Sequence, residues 1–327
     1  MPYQYLKAGV AENWKRARRD ILLGEGICRD PKKHVFLSFN GEHVATIGSE
    51  SSKRATQSKI NRTRRQLAKK RREGYVLGTY SRIGYPFAFG CDAEYSERFL
   101  YGVKSYFGKT SGSRLKGSWK GVHFRKPASM RTVLKTLDAK KRRQGKINYP
   151  KRVSHLLFGL LAIESGGYKK VRSKANARGI LQILPSQLQR CGVPRMYYYH
   201  RIAQADCALT LLESIYRHIY DDFLVRFRHL PRKKGEELYA RLMIQSYHTG
   251  METVRKLLNG HGFESKAARY YAKHQHLFSA ADIALGMMMH NIGRGSLRIG
   301  LASARYVIDA EVGLQALEAY KRKYRMN

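Results

Sequence analysis

Apolar residues recur at helical spacing in several parts of the chain. Val153, Leu156, Leu157, Leu160 and Leu161 lie three and four apart, which predicts a helix running up to Glu164, with Gly166-Gly167 as its left-handed stop. Ala208, Leu211, Leu212, Ile215 and Ile219 predict a longer helix over 205–223, and Glu237 to Gln245 leads into Tyr247. Residues 11–23 read as a short basic helix. Residues 265–327 read as mostly helical, with Met287-Met288-Met289 as core filler and a last helix near 302–324. Alternation replaces this period at Val35, Leu37 and Phe39. Asn40-Gly41 then predicts a type I′ turn, and Val44 and Ile47 the returning strand. The stretch 75–119 is rich in glycine and in rings such as Tyr75, Tyr80, Tyr85, Phe87 and Phe99, and predicts short strands and turns. The elements together describe an α+β, mainly helical chain.

Residues 51–73 break the pattern. They hold ten Lys or Arg against the single acid Glu73, and only Ile60 and Leu67 offer an apolar stripe. This predicts an exposed basic helix or arm that packs on little, with Arg62, Arg64, Arg65, Lys69, Lys70, Arg71 and Arg72 as candidate polyanion contacts. A second basic run, Lys140 to Arg143, ends at Pro150, where a domain boundary is expected. Over 327 residues the formal net charge is +39, heaviest in the first half. Such an excess calls for a polyanionic neighbour: nucleic acid, anionic lipid or an acidic cell wall.

Other classes find no support. No apolar run approaches the length of a membrane-spanning helix, and Met1-Pro2-Tyr3-Gln4-Tyr5-Leu6-Lys7 lacks the apolar core of a secretory signal. No Walker-type loop or G-x-G-x-x-G fingerprint occurs. Cys28, Cys91, Cys191 and Cys207 show no metal-ligand spacing, so reduced, partly buried thiols are expected, with no metal and no cofactor. Asp206 and Glu213 read as surface or capping acids.

Glu164 carries the candidate chemistry. It follows Leu160 at i+4 and Leu161 at i+3, which puts a carboxylate on the apolar face at the C-terminal end of its helix. Desolvation and the helix dipole both favour the protonated form there, and a carboxyl kept protonated near neutral pH suits a general acid. Glu164-Ser165-Gly166 is followed by Ser173, then by Asn176-Ala177-Arg178-Gly179-Ile180-Leu181-Gln182-Ile183-Leu184-Pro185. Some sixty residues on stands Ser246-Tyr247-His248-Thr249-Gly250. These two blocks resemble the catalytic core of the lytic transglycosylases, the soluble-transglycosylase-like branch of the lysozyme superfamily. The departures are Asn176 for a usual Gly, Gly167-Tyr168-Lys169 for Phe-Asn-Pro, and His248 for Asn. Asn tolerates a left-handed backbone, so Asn176 can keep the turn.

The resemblance covers roughly residues 150–260. It implies a lysozyme-like domain over 151–260; the residues on either side read, apart from the resemblance, as a basic N-terminal α/β region over 1–150 and a helical C-terminal extension over 261–327. It implies peptidoglycan as substrate and Glu164 as the sole acid and base, the sugar's own 6-hydroxyl closing to a 1,6-anhydro end. Ser173, Gln182, Tyr247 and His248 fall at substrate-binding positions, with Tyr247 expected to hold the Glu164 carboxyl. If the family's Asn positions the site, His248 in its place would either weaken activity or make it depend on pH near the ordinary imidazole pKa of about 6.5. Charge and absent signal together suggest a virion protein, assembled in host cytoplasm beside packaged DNA and other virion proteins and acting on the periplasmic wall. The alternatives are a non-enzymatic basic virion protein that keeps the fold, a hydrolase like the goose-type lysozymes, and a transglycosylase of a secretion or conjugation apparatus.

Overall fold

The computed structural model describes residues 5–71, 75–79 and 82–325. Met1 to Gln4, Arg72, Glu73 and Tyr80, with the expectations attached to them, lie outside the described residues. The chain begins with α1 (Val10–Leu23), β1 (Lys33–Leu37), β2 (His43–Gly48), α2 (Lys53–Arg71) and β3 (Phe87–Gly90). It continues through α3 (Ala93–Tyr106), β4 (Leu115–Trp119), β5 (Val122–Ala128), α4 (Met130–Arg143) and α5 (Lys151–Glu164). Then come α6 (Pro185–Arg190), α7 (Arg201–Phe227), α8 (Arg232–Thr249) and α9 (Met251–Asn259). The last helices are α10 (Lys266–Lys273), α11 (Ala280–His290), α12 (Leu301–Ala304) and α13 (Tyr306–Lys323). With 59% helix and 11% strand, the architecture is the mainly helical α+β class that the sequence predicts.

Two compact units are present, each assembled from three stretches of chain. The first comprises Met1–Ser96, Val225–Leu238 and Arg255–Ile308. Its sheet has the order β2-β1-β3, antiparallel throughout. Val35, Phe36 and Leu37 of β1 are fully buried, and Trp14 of α1 meets Phe87 of β3 in the same core. The hairpin forms where alternation predicts it, but its turn is not type I′. Only Gly41 has positive φ there, at 73°, and its N–H bonds the Ser38 carbonyl at 3.0 Å. A side chain at Gly41 would collide with Trp14, whose indole donates to the Phe39 carbonyl at 3.2 Å. Met287, Met288 and Met289 are core residues.

Two expectations fail in this unit. The basic segment does form a helix, α2, but it packs on more than a thin stripe. Thr56, Ile60 and Arg64 are buried. Arg64 Nε donates to the Pro86 carbonyl at 2.9 Å and Nη1 to Asn61 Oδ1 at 3.0 Å, so this guanidinium is an interior fixture rather than part of an exposed face. Burial pushes its pKa down to about 10. Cys28 and Cys91 form a disulfide across 63 residues of sequence, where the sequence predicts free thiols. No sequence spacing signals that pair; the approach of β3's end to the segment after α1 creates it.

The second unit comprises Glu97–Leu224, Tyr239–Val254 and Asp309–Asn327. Its axis is α5, buried from Leu156 to Ala162 on every side rather than along one stripe. Glycine lets neighbours approach closely. A methyl at Gly102 of α3 would meet the backbone of Ala162 and Gly166, and one at Gly159 would strike Ala310 of α13. Ser154 at the start of α5 donates to Asp138 of α4 at 2.7 Å. Helix α3 corrects the strand-and-turn reading of 75–119. Phe99, Val103 and Tyr106 are buried at spacings of four and three, so helical periodicity overrides the β preference of the rings. The final helix is also interrupted, at Arg305 between α12 and α13.

Candidate active site

Glu164 is the last residue of α5 and is half-buried. Ser165 caps the helix, and Gly166 and Gly167 follow with φ of 56° and 76°, the left-handed stop expected there. Cβ atoms at these two positions would run into Arg98 and Ser105 of α3, so glycine is required twice over. The turn therefore leaves Glu164 at the end of a helix that is buried from Leu156 to Ala162. Two tyrosines flank the turn: Tyr101 of α3 stacks on Tyr168 with ring centroids 4.7 Å apart.

Facing α5 is the loop 171–184. It is a small knot of backbone bonds, in which Arg178 bridges both Arg172 and Ile183. Asn176 sits at φ 66° and Gly179 at 69°, so the asparagine does keep the left-handed turn. Side chains from outside the loop, among them Ser165, Gln204 and Tyr247, hold it. Ser165 Oγ donates to the Ile180 carbonyl at 3.0 Å. Gln204 of α7, fully buried, accepts the Leu181 N–H at 3.3 Å and donates to the carbonyls of Arg178 and Tyr198. Tyr247 of α8 donates its hydroxyl to the Leu181 carbonyl at 2.9 Å. Desolvation, and after it the nearby Glu164 carboxylate, push the Tyr247 pKa well above that of an ordinary phenol.

The structure thus brings Glu164, Ser165, Leu181 and Tyr247 together. Ser173 and Gln182 serve the loop itself. Ser173 Oγ accepts the Ala177 N–H at 3.0 Å, and Gln182 Nε2 donates to the carbonyls of Gly179 at 2.7 Å and Val171 at 3.3 Å. His248 is exposed near the end of α8. Of the basic candidates, Arg62, Arg65, Lys69 and Lys70 are exposed on α2, Arg64 is interior, and Arg71 ends the helix. Among the described residues no group of three or more His, Cys, Asp or Glu is placed to hold a metal ion.

Residues 144–270 match the Transglycosylase SLT domain family. The match supports a lytic-transglycosylase-like domain in this stretch. Among curated proteins no match to the chain is found.

Sequence reasoning missed Gln204, whose role shows in the sequence only as a polar residue among apolar neighbours. It also misplaced two acids of this SLT-domain region. Asp206 is buried and takes Lys141 at 2.7 Å and the Trp119 indole at 3.1 Å. Glu213, also buried, takes the Asn148 N–H and Arg217, both at 2.8 Å. Neither is a surface or capping acid; both anchor other elements to α7. Cys191 and Cys207 are disulfide-bonded, not free, and tie the end of α6 to α7 three residues beyond Gln204.

Proposed function

We propose that the chain is a peptidoglycan lytic transglycosylase with Glu164 as its catalytic residue. Glu164 gives its proton to the glycosidic oxygen between N-acetylmuramic acid and N-acetylglucosamine, and the C–O bond to the anomeric carbon breaks. The resulting carboxylate then takes the proton of the muramyl 6-hydroxyl. That oxygen closes on the anomeric carbon and leaves a 1,6-anhydro end, with no water consumed. One group in two protonation states does both steps, as acid–base catalysis permits. The reading rests on one arrangement: a half-buried carboxyl at the end of a packed helix, beside a pinned loop and the raised-pKa hydroxyl of Tyr247, inside the stretch that matches the SLT domain. Ser173, Gln182 and His248 contribute to substrate binding, the first two by keeping the loop's backbone in shape.

We extend this reading to a virion component that opens the wall for genome entry. The charge of +39 and the exposed cations of α2 suit a neighbour of packaged DNA, and particle proteins would be its other partners. The two disulfides suit a protein that works outside the reducing cytoplasm.

Mass spectrometry of purified peptidoglycan after digestion tests the activity. Muropeptides with 1,6-anhydromuramyl ends are expected. Reducing ends alone would make the protein a hydrolase, and intact glycan would leave a non-enzymatic basic protein on the same fold.

A further inference from the structure

Away from Glu164, the β4–β5 hairpin, the second half of α4, the end of α6 and the first two thirds of α7 enclose a cavity of about 530 Å³. Its lining includes Lys120, Lys140, Lys141, Lys146, Arg190 and Arg217. Among the described residues, Asp206 is the one carboxylate in that lining. It is taken by Lys141 at 2.7 Å and the Trp119 indole at 3.1 Å, with Lys120 further off at 3.8 Å. Arg217 is matched by Glu213. Lys120 and Lys140 reach for backbone carbonyls instead, of Cys191 at 2.7 Å and of Lys120 at 3.0 Å. Lys146 and Arg190 of the lining are exposed. Cations therefore outnumber the charges that could neutralise them, and they converge on a concave space where fields add. The wall is rigid as well, since Cys191 follows Arg190 and is bonded to Cys207, the neighbour of Asp206.

We infer that this cavity binds phosphates of a nucleic-acid strand. Its volume suits a ligand larger than a single anion, within the usual range of binding sites. Several cations spread around it match successive phosphates better than one carboxylate. Trp119 at the edge, with Lys120 Nζ 5.5 Å from its ring, offers an aromatic surface of the kind on which bases stack. Apart from Trp119, the apolar lining is Val122 and Leu137, too little for an acyl chain. The site lies in the unit that carries Glu164, not on the basic helix α2, and it holds whether or not Glu164 is catalytic.

Trp14 and Trp119 are the only tryptophans in the sequence, and Trp14 is fully buried, so Trp119 reports on the cavity. The full chain is titrated with a twelve-nucleotide single strand while its emission is followed at two salt concentrations. A saturable, salt-sensitive change is expected. Lys146→Glu with Arg190→Glu should weaken it at least tenfold and flatten the salt slope by about 0.7 for each phosphate no longer neutralised. The charge-matched pair Arg322→Glu with Lys323→Glu is exposed and outside the cavity lining, and should bind like the parent. Equal weakening by both pairs would mean diffuse charge and overturn the site. So would oligonucleotide binding without a Trp119 response. A response to inorganic phosphate or to phosphatidylglycerol vesicles, with none to the oligonucleotide, would overturn the nucleic-acid assignment.

Discussion

Tyr247 on α8 donates its hydroxyl to the carbonyl of Leu181, 2.9 Å away in the loop that faces Glu164. The N–H of Leu181 is in turn accepted by Gln204 of α7. Both backbone groups of Leu181 are thus held by side chains far away in sequence, and the loop's shape is imposed from outside rather than by its own turn residues alone. Tyr247→Phe keeps the ring and removes the donor. Leaving the Leu181 oxygen unmatched should cost about 1–3 kcal/mol. Thermal melting should fall by several degrees and wall cleavage should drop, while the pH profile of the residual activity should keep its shape. A shifted profile would mean that Tyr247 takes part in proton transfer.

Gln204→Leu removes three hydrogen bonds at one point and leaves the Leu181 N–H and the Arg178 and Tyr198 carbonyls without it. The leucine also lacks an amide to pack beneath Gly179, where the backbone already lies against Gln204. A loss of about 2–4 kcal/mol is expected from groups left unmatched. Limited proteolysis should cut within 171–184 sooner than in the parent; unchanged cleavage there would remove Gln204 from the loop's support.

How much of this was readable in the sequence depends on range. The end of α5 at Glu164, the two glycines behind it, α7 and the β1–β2 hairpin follow from local periodicity and turn residues. What local pattern misses is what distant parts of the chain do to it. Arg64 looks like one more cation on a basic helix until Pro86 and Asn61 surround it. Asp206 and Glu213 look like surface acids until Lys141 meets the first and the Asn148 N–H the second. The cysteines pair through fold proximity without any motif. Ser173 and Gln182 stood out only through the family resemblance, and their bonds to Ala177, Gly179 and Val171 needed the folded loop.

Glu164→Gln should abolish cleavage and leave the fold intact. The amide is close in shape but has no titratable proton to give, and activity should fall at least about 10²-fold. Circular dichroism and melting should match the parent, while the peptidoglycan digest should yield no anhydro products. Cleavage at the parent's rate would mean another group is the acid.

Reduction should be felt at both disulfides. The chain-entropy account gives about 3 kcal/mol for the 16-residue separation of Cys191 and Cys207 and about 4 kcal/mol for the 63-residue separation of Cys28 and Cys91. Melting with and without reductant should differ by several degrees, and Cys191→Ser with Cys207→Ser should remove part of that difference. Identical melting curves would mean that neither bond constrains the unfolded chain.

Alkaline pH should unfold the protein before its buried phenols titrate. Burial raises the pKa of Tyr149, Tyr239, Tyr247 and Tyr271 above the ordinary value, so the folded chain holds these protons more tightly than the unfolded one. The stability they contribute is fully present below the unfolded pKa of about 10 and is lost as pH rises beyond it. Melting temperature against pH should therefore decline above about pH 10. The phenolate absorbance of these residues should appear together with unfolding rather than ahead of it.

The cations of α2 should bind polyanions independently of cleavage. Because Thr56, Ile60 and Arg64 are packed inside, removing residues 51–73 would disturb the first unit and confuse loss of charge with loss of structure. Neutralising only the exposed set, Arg62, Arg65, Lys69 and Lys70 to Gln, avoids that. Duplex DNA binding should weaken, and the slope of log K against log salt should fall by about 0.9 for each phosphate that α2 no longer neutralises. The effect should be the same for unrelated sequences, since contacts to phosphate position a protein without reading bases. Cleavage of soluble glycan fragments should be unchanged. An unaltered slope in a gel-shift titration at two salt concentrations would take α2 out of DNA binding and leave another anionic surface, lipid or protein, as its partner.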